Sequence, residues 1–392
     1  MRLQSYFKDP TVKNGFFLLM GSAINSIGGF IFFLLVARLY ASTDVGSSSV
    51  LISALGIITT LAMFGLDETL IKYHHKDGEA IIGLAAAVTS IVAFISSVII
   101  LAIILKSDAS ELSAIHMVIF ILSAVSWTFS TLLDVIYIAK KQSVHVFYKS
   151  IIQNVIKLIL PCLLVAQGYF GIFLAWGISS FLASIIMLYF TKISLNMNFS
   201  LLQKYFGFSS MNYISNVIFW ARDFLVPLIL ATLKGALFTA QYFIPNRFLV
   251  LFYIAPKAIT RAFFAEISGK KRSSFTIVTL ITLGFSVVFL LGVIFFGRWI
   301  LGVYGEDYAF AGYDLFVLFA FTGIFSSFNE IVLTKERYRG SGLPILLIKG
   351  APAILTLVTL PFTIGFGLIG IGYSYLIPEM IISIYAAMRF AK

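Results

Sequence analysis

Three positively charged residues lie within long apolar stretches of the chain. They are Lys157, Arg222 and Arg247, whereas the other basic residues fall near the ends of such stretches. If these stretches cross a bilayer, each charge is costly, so it is expected to face a cavity or a partner and to mark a functional site. Guanidinium binds phosphate through two hydrogen bonds and an ammonium adds a point charge. The three residues therefore predict a site for a phosphate or diphosphate group.

Polar residues near these cations predict a wider binding surface. Lys149, Gln153 and Lys157 are spaced by four, which places two cations and an amide on one face of a helix. We predict that the phosphate or diphosphate is bound by Arg222, Arg247, Lys157 and Lys149. The uncharged residues predicted to line the same cavity are Asn25, Gln153, Asn212, Asn216, Gln241 and Asn246.

Acidic residues also occur within the apolar stretches, and two interpretations of them stay open. These residues are Asp134, Asp223, Glu330 and Glu379. Each could pair with a buried cation as part of the structure, as Asp223 could with Arg222. A carboxylate inside a membrane can also bind a proton or Na⁺ and shift a conformational equilibrium, so the four are candidates for binding a coupling ion. No cofactor is expected beyond H⁺ or Na⁺, and no catalytic residue is predicted.

The sequence offers little for metal binding or disulfide formation. His74 and His75 lie in a charged loop with several acids, a setting in which histidines are usually solvated, so no metal site is predicted. Cys162 is the only cysteine and lies within an apolar stretch. A disulfide within the chain and a metal site built from thiolates are therefore excluded.

The composition identifies the elements that must hold these residues. Of the 392 residues, 60% are hydrophobic and 11% are charged, against about one quarter charged in soluble domains. The apolar stretches are about 20 residues long or more and do not alternate, so they predict helices that cross a bilayer rather than barrel strands. We predict an all-α polytopic membrane protein with about 12 transmembrane helices, over residues 15–36, 46–65, 80–105, 112–139, 146–167, 168–190, 207–231, 236–260, 274–296, 312–333, 345–364 and 365–388.

A polar stretch over residues 191–204 divides these helices into two sets of six. The division predicts an amino-terminal lobe of residues 1–200 and a carboxy-terminal lobe of residues 201–392 around a central cavity, as in transporters built from two repeats. No loop is long enough to fold as a catalytic domain. The chain is therefore predicted not to be an enzyme.

The distribution of positive charge predicts the orientation in the membrane. The chain ends and alternate loops carry about 21 Lys and Arg residues and the opposite loops about four, so both termini are predicted to be cytoplasmic. The formal charge of +11 is interpreted as a topology signal in the cytoplasmic membrane and not as a nucleic-acid surface. The most basic loop contains Lys257, Arg261, Lys270, Lys271 and Arg272. Membrane topology alone is the preferred explanation of these charges, and contact with anionic lipid headgroups is the alternative.

Short motifs in the first 73 residues and near the start of the second half carry a resemblance to a known family. They are Asn14-Gly15, Val36-Ala37-Arg38-Leu39-Tyr40, Asp44-Val45-Gly46-Ser47 and Phe64-Gly65-Leu66-Asp67, followed by Arg222-Asp223, Gly235 and Tyr242. The sequence resembles the polysaccharide and O-antigen flippases of the multidrug, oligosaccharidyl-lipid and polysaccharide exporter (MOP) superfamily. The resemblance implies two six-helix lobes around a cavity that opens to alternate sides and moves a polyprenyl-linked sugar outward. Members that flip lipid-linked peptidoglycan precursor have arginines inside the first two helices, which this sequence lacks, so that substrate is not implied.

The predicted function is thus a flippase that moves a polyprenyl-phosphate- or diphosphate-linked oligosaccharide across the cytoplasmic membrane for surface polysaccharide or glycan assembly. The expected partners are this lipid-linked oligosaccharide, membrane lipids and a glycan polymerase or transferase, and the chain is expected to be a monomer. Two alternatives stay open. A cation-coupled drug or metabolite antiporter of the same superfamily would have an acidic cavity. A membrane-embedded glycosyltransferase or polysaccharide polymerase would need an acidic pair at the membrane edge or a substantial external loop.

Overall fold

The computed structural model describes residues 10–105, 113–190, 200–257, 259–260, 275–339 and 342–391. Within these ranges the regular secondary structure is helical throughout. The helices are α1 (Pro10–Leu39), α2 (Ser42–Met63), α3 (Leu66–Leu105), α4 (Ala114–Ala139), α5 (Ser143–Leu163), α6 (Gly168–Tyr189), α7 (Ser200–Lys234), α8 (Ala236–Phe252), α9 (Phe275–Gly302), α10 (Glu306–Ala311), α11 (Tyr313–Arg339), α12 (Gly342–Thr363) and α13 (Gly367–Ala391). All except the six-residue α10 have 17 residues or more. The described ranges thus hold twelve long helices, and the predicted all-α fold with about 12 helices is confirmed.

Most of these helices are suited to a bilayer. Among the described residues, nine stretches are long and apolar enough to cross a membrane, and the last of them, Leu343–Phe390, contains both α12 and α13. Their outer faces are apolar: on α3, Ile91, Ile95 and Ile99 recur at every fourth position and are 55%, 52% and 56% exposed. An exposed apolar stripe marks a contact surface, and on a stretch long enough to cross a bilayer that surface faces hydrocarbon. The chain is a multi-pass membrane protein.

The chain forms two compact units, and α7 contributes to both. The first unit comprises Met1–Val217 and Pro227–Leu237, and the second comprises Ile218–Val226 and Phe238–Lys392. In the first unit α1 packs along α5, α3 along α4, and α5 along α6. In the second unit α11 packs along both α9 and α13, and α12 packs along α13. Each unit therefore has its own core of packed helices.

Both units contain the same tight turn between consecutive helices. In the first unit a 3₁₀ turn leads into Gly168 (φ 53°), where α6 begins, and in the second a 3₁₀ turn leads into Gly367 (φ 71°), where α13 begins. Glycine adopts this left-handed backbone without strain. Three residues later, a Cβ at Gly171 or Gly370 would lie 2.3 Å or 1.9 Å from a carbonyl oxygen of the preceding turn. The repeated Gly-x-x-Gly spacing thus permits a sharp reversal in each unit.

The turn motif at the start of α2 is explained by a close backbone contact. A Cβ at Gly46 would lie 1.8 Å from the carbonyl oxygen of Ala236, the first residue of α8, and both residues belong to the first unit. Because a main-chain carbonyl cannot move aside without shifting its helix, only glycine fits at this position. The neighbouring Asp44 lies against the turn before α6, with Oδ1 3.3 Å from the Cβ position at Gly168.

Several helices extend beyond their predicted bounds. The largest extension is in α3, which begins at Leu66 and not at residue 80 and is kinked at Gly78, so His74 and His75 lie in a helix and not in the predicted loop.

Helix α9 continues to Gly302, whereas the predicted helix ends at Phe296. Arg298 lies in this extension, and its guanidinium carbon is 4.8 Å from the ring centre of Tyr313, a favourable cation–π contact. The short helix α10 then begins at Glu306, whose charge is favourable at a helix amino terminus.

Candidate functional site

The polar stripe predicted on α5 lies on the buried face of that helix. Lys149, Gln153 and Lys157 are 2%, 9% and 4% exposed. On the opposite face Val155 and Ile159 are both more than half exposed. The spacing of four therefore places two cations and an amide inside the first unit, away from lipid.

Lys149 is neutralised by a carboxylate on the neighbouring helix. Its Nζ lies 2.7 Å from Oδ2 of Asp134 on α4 and also donates to the carbonyl oxygen of Ser130. The Lys149 side chain is 2% exposed and that of Asp134 is 29% exposed. This ion pair joins α4 to α5. One predicted phosphate ligand, Lys149, is therefore paired with one candidate coupling carboxylate, Asp134.

A chain of amide hydrogen bonds joins α1 to α5. The Nδ2 atom of Asn154 donates to Oδ1 of Asn25 over 2.8 Å, and Nδ2 of Asn25 donates to the Ser150 hydroxyl over 3.0 Å. A Cβ at Gly28 would lie 2.1 Å from Oδ1 of Asn154, so glycine is required where the helices cross. Sequence reasoning named Asn25 but missed Asn154, although its position three residues before Lys157 was a usable signal.

Lys157 lies among aromatic rings. Its Nζ lies 4.5 Å from the ring centre of Trp176 on α6 and 5.9 Å from that of Phe32 on α1. No carboxylate of the described residues lies within ion-pair distance of its ammonium. Trp rings attract cations but do not cancel their charge. The first unit therefore holds one buried ammonium that this part of the chain leaves unneutralised.

Arg222, on α7, contacts two carboxylates in the second unit. Its Nη1 lies 3.4 Å from Oε1 of Glu379 on α13, and its Nε lies 3.6 Å from Oδ1 of Asp223. The guanidinium carbon also lies 4.9 Å from the ring centre of Tyr375. The interpretation of Arg222 as part of an intramembrane ion pair thus has direct geometric support, and its role as a phosphate ligand stays a prediction.

Glu379 belongs to a hydrogen-bonded network between α11 and α13. Asn329 donates from Nδ2 to Oε2 of Glu379 over 2.8 Å, and the Ser383 hydroxyl donates to Oδ1 of Asn329 over 3.0 Å. All three side chains are buried. Asn329 and Ser383 are not among the residues predicted from the sequence, although Asn329 adjoins Glu330 and Ser383 follows Glu379 by one helical turn.

A cavity of about 110 Å³ opens beside this network. Three of the four candidate coupling carboxylates line it, together with Arg222, Asn329 and Tyr253; the three are Asp223, Glu330 and Glu379. A volume of this size holds a few waters or a small hydrated ion. It is too small for an oligosaccharide.

The remaining predicted residues lie on α7 and α8. Arg247 stacks on Phe243, with the guanidinium carbon 4.0 Å from the ring centre. Asn246 is 1% exposed, and Gln241 is partly buried. The side chains of Asn212 and Asn216 lie outside the described part of the structure, as do Arg261, Lys270, Lys271 and Arg272 of the basic loop. Of that loop's cations, Lys257 is described, and it lines the cavity beside Glu330.

The predicted residues are thus divided between the two units. Lys149, Lys157, Asn25, Gln153 and Asp134 belong to the first unit, and Arg222, Arg247, Asp223, Glu330 and Glu379 belong to the second. In the first unit two buried cations, Lys149 and Lys157, and one partly exposed carboxylate, Asp134, lie around α5. In the second unit one cavity is lined by Asp223, Glu330 and Glu379 together with three cations, Arg222, Lys257 and Lys349.

Comparison with known proteins places this arrangement in a known fold. No protein-family model and no curated protein matches the chain. Solved structures do match over nearly the full length. An inward-facing multidrug resistance MATE family transporter of the MOP superfamily has a TM-score of 0.72 at 11% identity, covering 95% of this chain and 98% of that one. The lipid II flippase MurJ in an inward closed conformation has a TM-score of 0.71 at 14% identity, covering 96% and 87%.

A third solved structure is a MOP superfamily transporter from Pyrococcus furiosus. The binding pocket of that protein is described as having reverse polarity, which suggests a different function for it. It has a TM-score of 0.64 at 12% identity and covers 98% of this chain and 96% of that one. The fold is that of MOP superfamily transporters. Identities this low show the fold alone.

Proposed function

We propose that this protein is a flippase that moves a polyprenyl-phosphate- or diphosphate-linked oligosaccharide across the cytoplasmic membrane by alternating access, for surface polysaccharide or glycan assembly. The observation that carries the proposal is the buried ammonium of Lys157, which has no carboxylate partner among the described residues. An intramembrane charge that the protein does not neutralise is poised to bind an ion of opposite sign.

Two of the other three deep cations have carboxylate partners, and the third, Arg247, stacks on Phe243. Lys149 is paired with Asp134, and Arg222 is in contact with Asp223 and Glu379. Lys157 therefore provides a positive charge that can pair with a phosphate without displacement of a carboxylate. Breaking a buried ion pair costs about 3–5 kcal/mol, so an unpaired lysine binds an anion at lower cost than a paired one.

The second unit supplies a site for the coupling ion under this proposal. Asp223, Glu330 and Glu379 line a cavity of about 110 Å³, together with Asn329. Carboxylate and amide oxygens are the ligands that hard cations prefer. We propose that H⁺ or Na⁺ binds here and shifts the equilibrium between two conformations of the transporter.

A second candidate is a cation-coupled drug or metabolite antiporter of the same superfamily. The observation that favours it is the same carboxylate-lined cavity, together with the likeness to multidrug transporters. The two candidates differ in the sign of the substrate charge. An antiporter for cationic compounds would be inhibited by lipophilic cations, whereas a flippase for phosphate-linked glycans would be inhibited by polyprenyl diphosphate.

The proposal also covers the membrane orientation, the oligomeric state and the protein partner of the chain. The termini are proposed to be cytoplasmic, the chain to act as a monomer, and a glycan polymerase or transferase to be a partner. Accessibility of a tag at either end to an impermeant reagent in spheroplasts tests the orientation.

The direct test is transport by the purified chain in lipid vesicles, with a fluorescent polyprenyl-diphosphate-linked oligosaccharide as substrate. Lys157→Gln is expected to lower the transport rate at least tenfold because the substrate phosphate loses its countercharge. The matched control is Lys234→Gln, at the exposed end of α7, which is expected to transport normally. Normal transport by Lys157→Gln would remove the basis of the proposal, and transport of cationic dyes instead of the glycan would favour the antiporter.

A further inference from the structure

Trp176 on α6 is the residue in closest ring contact with the Lys157 ammonium. The indole is held by two further aromatic side chains: its ring centre lies 5.4 Å from that of Trp127 on α4 and 5.2 Å from that of Phe32 on α1. All four residues belong to the first unit. The orientation of the indole relative to Lys157 is therefore fixed by packing against α1 and α4.

The indole N–H of Trp176 has no acceptor in the described part of the chain. Its Nε1 atom is buried and makes no hydrogen bond. Buried Trp N–H groups usually find a partner, because leaving such a donor unpaired is costly. The indole N–H of Trp176 and the ammonium of Lys157 are thus two neighbouring hydrogen-bond donors, and the indole N–H has no acceptor among the described residues. Such an arrangement is explained by an acceptor that arrives with a ligand.

We infer that Trp176 is itself a substrate ligand, whose indole N–H donates to the same phosphate group that Lys157 binds. The inference rests on the proposed function and extends it to a second residue. A phosphate carries several acceptor oxygens, so it can accept from an ammonium at one oxygen and from an indole N–H at another. The packing of Trp127 and Phe32 holds the donor in place before the phosphate arrives, which lowers the cost of binding.

A purely structural role for Trp176 makes a different prediction. If the indole only holds Lys157 through the ring face, a phenylalanine ring at position 176 would serve nearly as well. If the N–H is a ligand, phenylalanine removes it while keeping an aromatic ring beside the ammonium. Trp176→Phe therefore separates the two roles.

The experiment is calorimetric titration of the full chain in detergent with farnesyl diphosphate, with farnesol as the control for binding of the apolar tail. Hydrogen bonds to charged groups are strong enough that losing one weakens binding by about 10- to 100-fold. Trp176→Phe is expected to show a loss in this range for farnesyl diphosphate and no change for farnesol. The matched control is Trp299→Phe, because Trp299 is 73% exposed on α9 and belongs to the second unit.

Each outcome bears on a separate claim. Wild-type affinity in Trp176→Phe, with a large loss in Lys157→Gln, would overturn the role of Trp176 and leave the proposed function standing. Equal affinity of the wild type and Lys157→Gln would overturn the phosphate site itself, as would absence of binding by the wild type. If Trp176→Phe lowers the melting temperature, 3-benzothienylalanine at position 176 keeps the shape of the indole and replaces the N–H with sulfur. Wild-type affinity of that variant would also overturn the inference.

Discussion

Lys157 in the first unit and Arg222 in the second are both buried cations, and their surroundings are opposite. Arg222 contacts two carboxylates, at 3.4 Å and 3.6 Å, whereas Lys157 contacts aromatic rings, the nearer at 4.5 Å. Removing a cation from a carboxylate network leaves negative charge buried without a partner. Removing a cation from an aromatic cluster leaves no buried negative charge behind. A deep charge is therefore a candidate for substrate binding when its neighbours leave it unneutralised, and primarily a structural element when they do not.

The largest expected effect on stability follows from Arg222→Met. This change leaves Asp223 and Glu379 buried without their cation, which costs about 3–5 kcal/mol in a buried ion pair. The free energy of unfolding, measured by SDS titration of the purified protein, should fall by that amount. A loss below about 1 kcal/mol would show that the network in the second unit does not hold α7 to α13.

Lys149→Met should give the next largest effect. Asp134 keeps a side chain that is 29% exposed, so the loss should lie near the lower end of the range, about 3 kcal/mol. The double variant Lys149→Met with Asp134→Leu should recover most of this loss, because neither charge then remains alone. Additive losses in the double variant would mean that the pair contributes no coupling energy.

A smaller effect is expected from Asn329→Ala. The amide donates to the Glu379 carboxylate over 2.8 Å, and a hydrogen bond to a charged group contributes about 1.5–3 kcal/mol. Ser383→Ala is the matched control, because its hydroxyl contacts Asn329 and not the carboxylate, and it should cost about 0.5–1.5 kcal/mol. The same SDS titration measures both variants. Equal losses in the two variants would mean that side-chain packing, and not the hydrogen bond to the Glu379 carboxylate, stabilises the network.

Lys157→Met should change stability least. No carboxylate of the described residues is left alone by this substitution, and methionine fills the space of the lysine stem, so the change should be within about 1 kcal/mol. The comparison with Arg222→Met is direct, since both replace a buried cation by the same residue. A loss of several kcal/mol in Lys157→Met would mean that the ammonium has a structural partner.

The helical fold could be predicted because a bilayer constrains the length and the polarity of each segment that crosses it. A helix that crosses the hydrocarbon needs about 20 apolar residues, and runs of that length mark the helices to within a few residues at most ends. The stripe on α5 followed from its spacing of four, since residues at that spacing share a helical face. The end of α9 was not predicted, because the apolar run stops before Arg298 while the helix continues to Gly302.

The partners of the buried charges could not be predicted in the same way. Glu379 lies 157 residues from Arg222 in the chain, and nothing local in the sequence indicates that the two meet. Trp176 and Phe32 look like ordinary apolar residues until the helices bring them against Lys157. The sequence therefore identifies which positions are charged, and tertiary packing decides which of them are neutralised.

The central claim is that Lys157 acts on the substrate and Arg222 on the structure. The most direct measurement is the transport rate of the lipid-linked oligosaccharide by Lys157→Gln and Lys157→Arg, at equal amounts of folded protein in the vesicles. We predict that Lys157→Gln loses at least tenfold in rate while its free energy of unfolding stays near that of the wild type, and that Lys157→Arg retains most of the rate. Equal rates for Lys157→Gln and the wild type would contradict the claim.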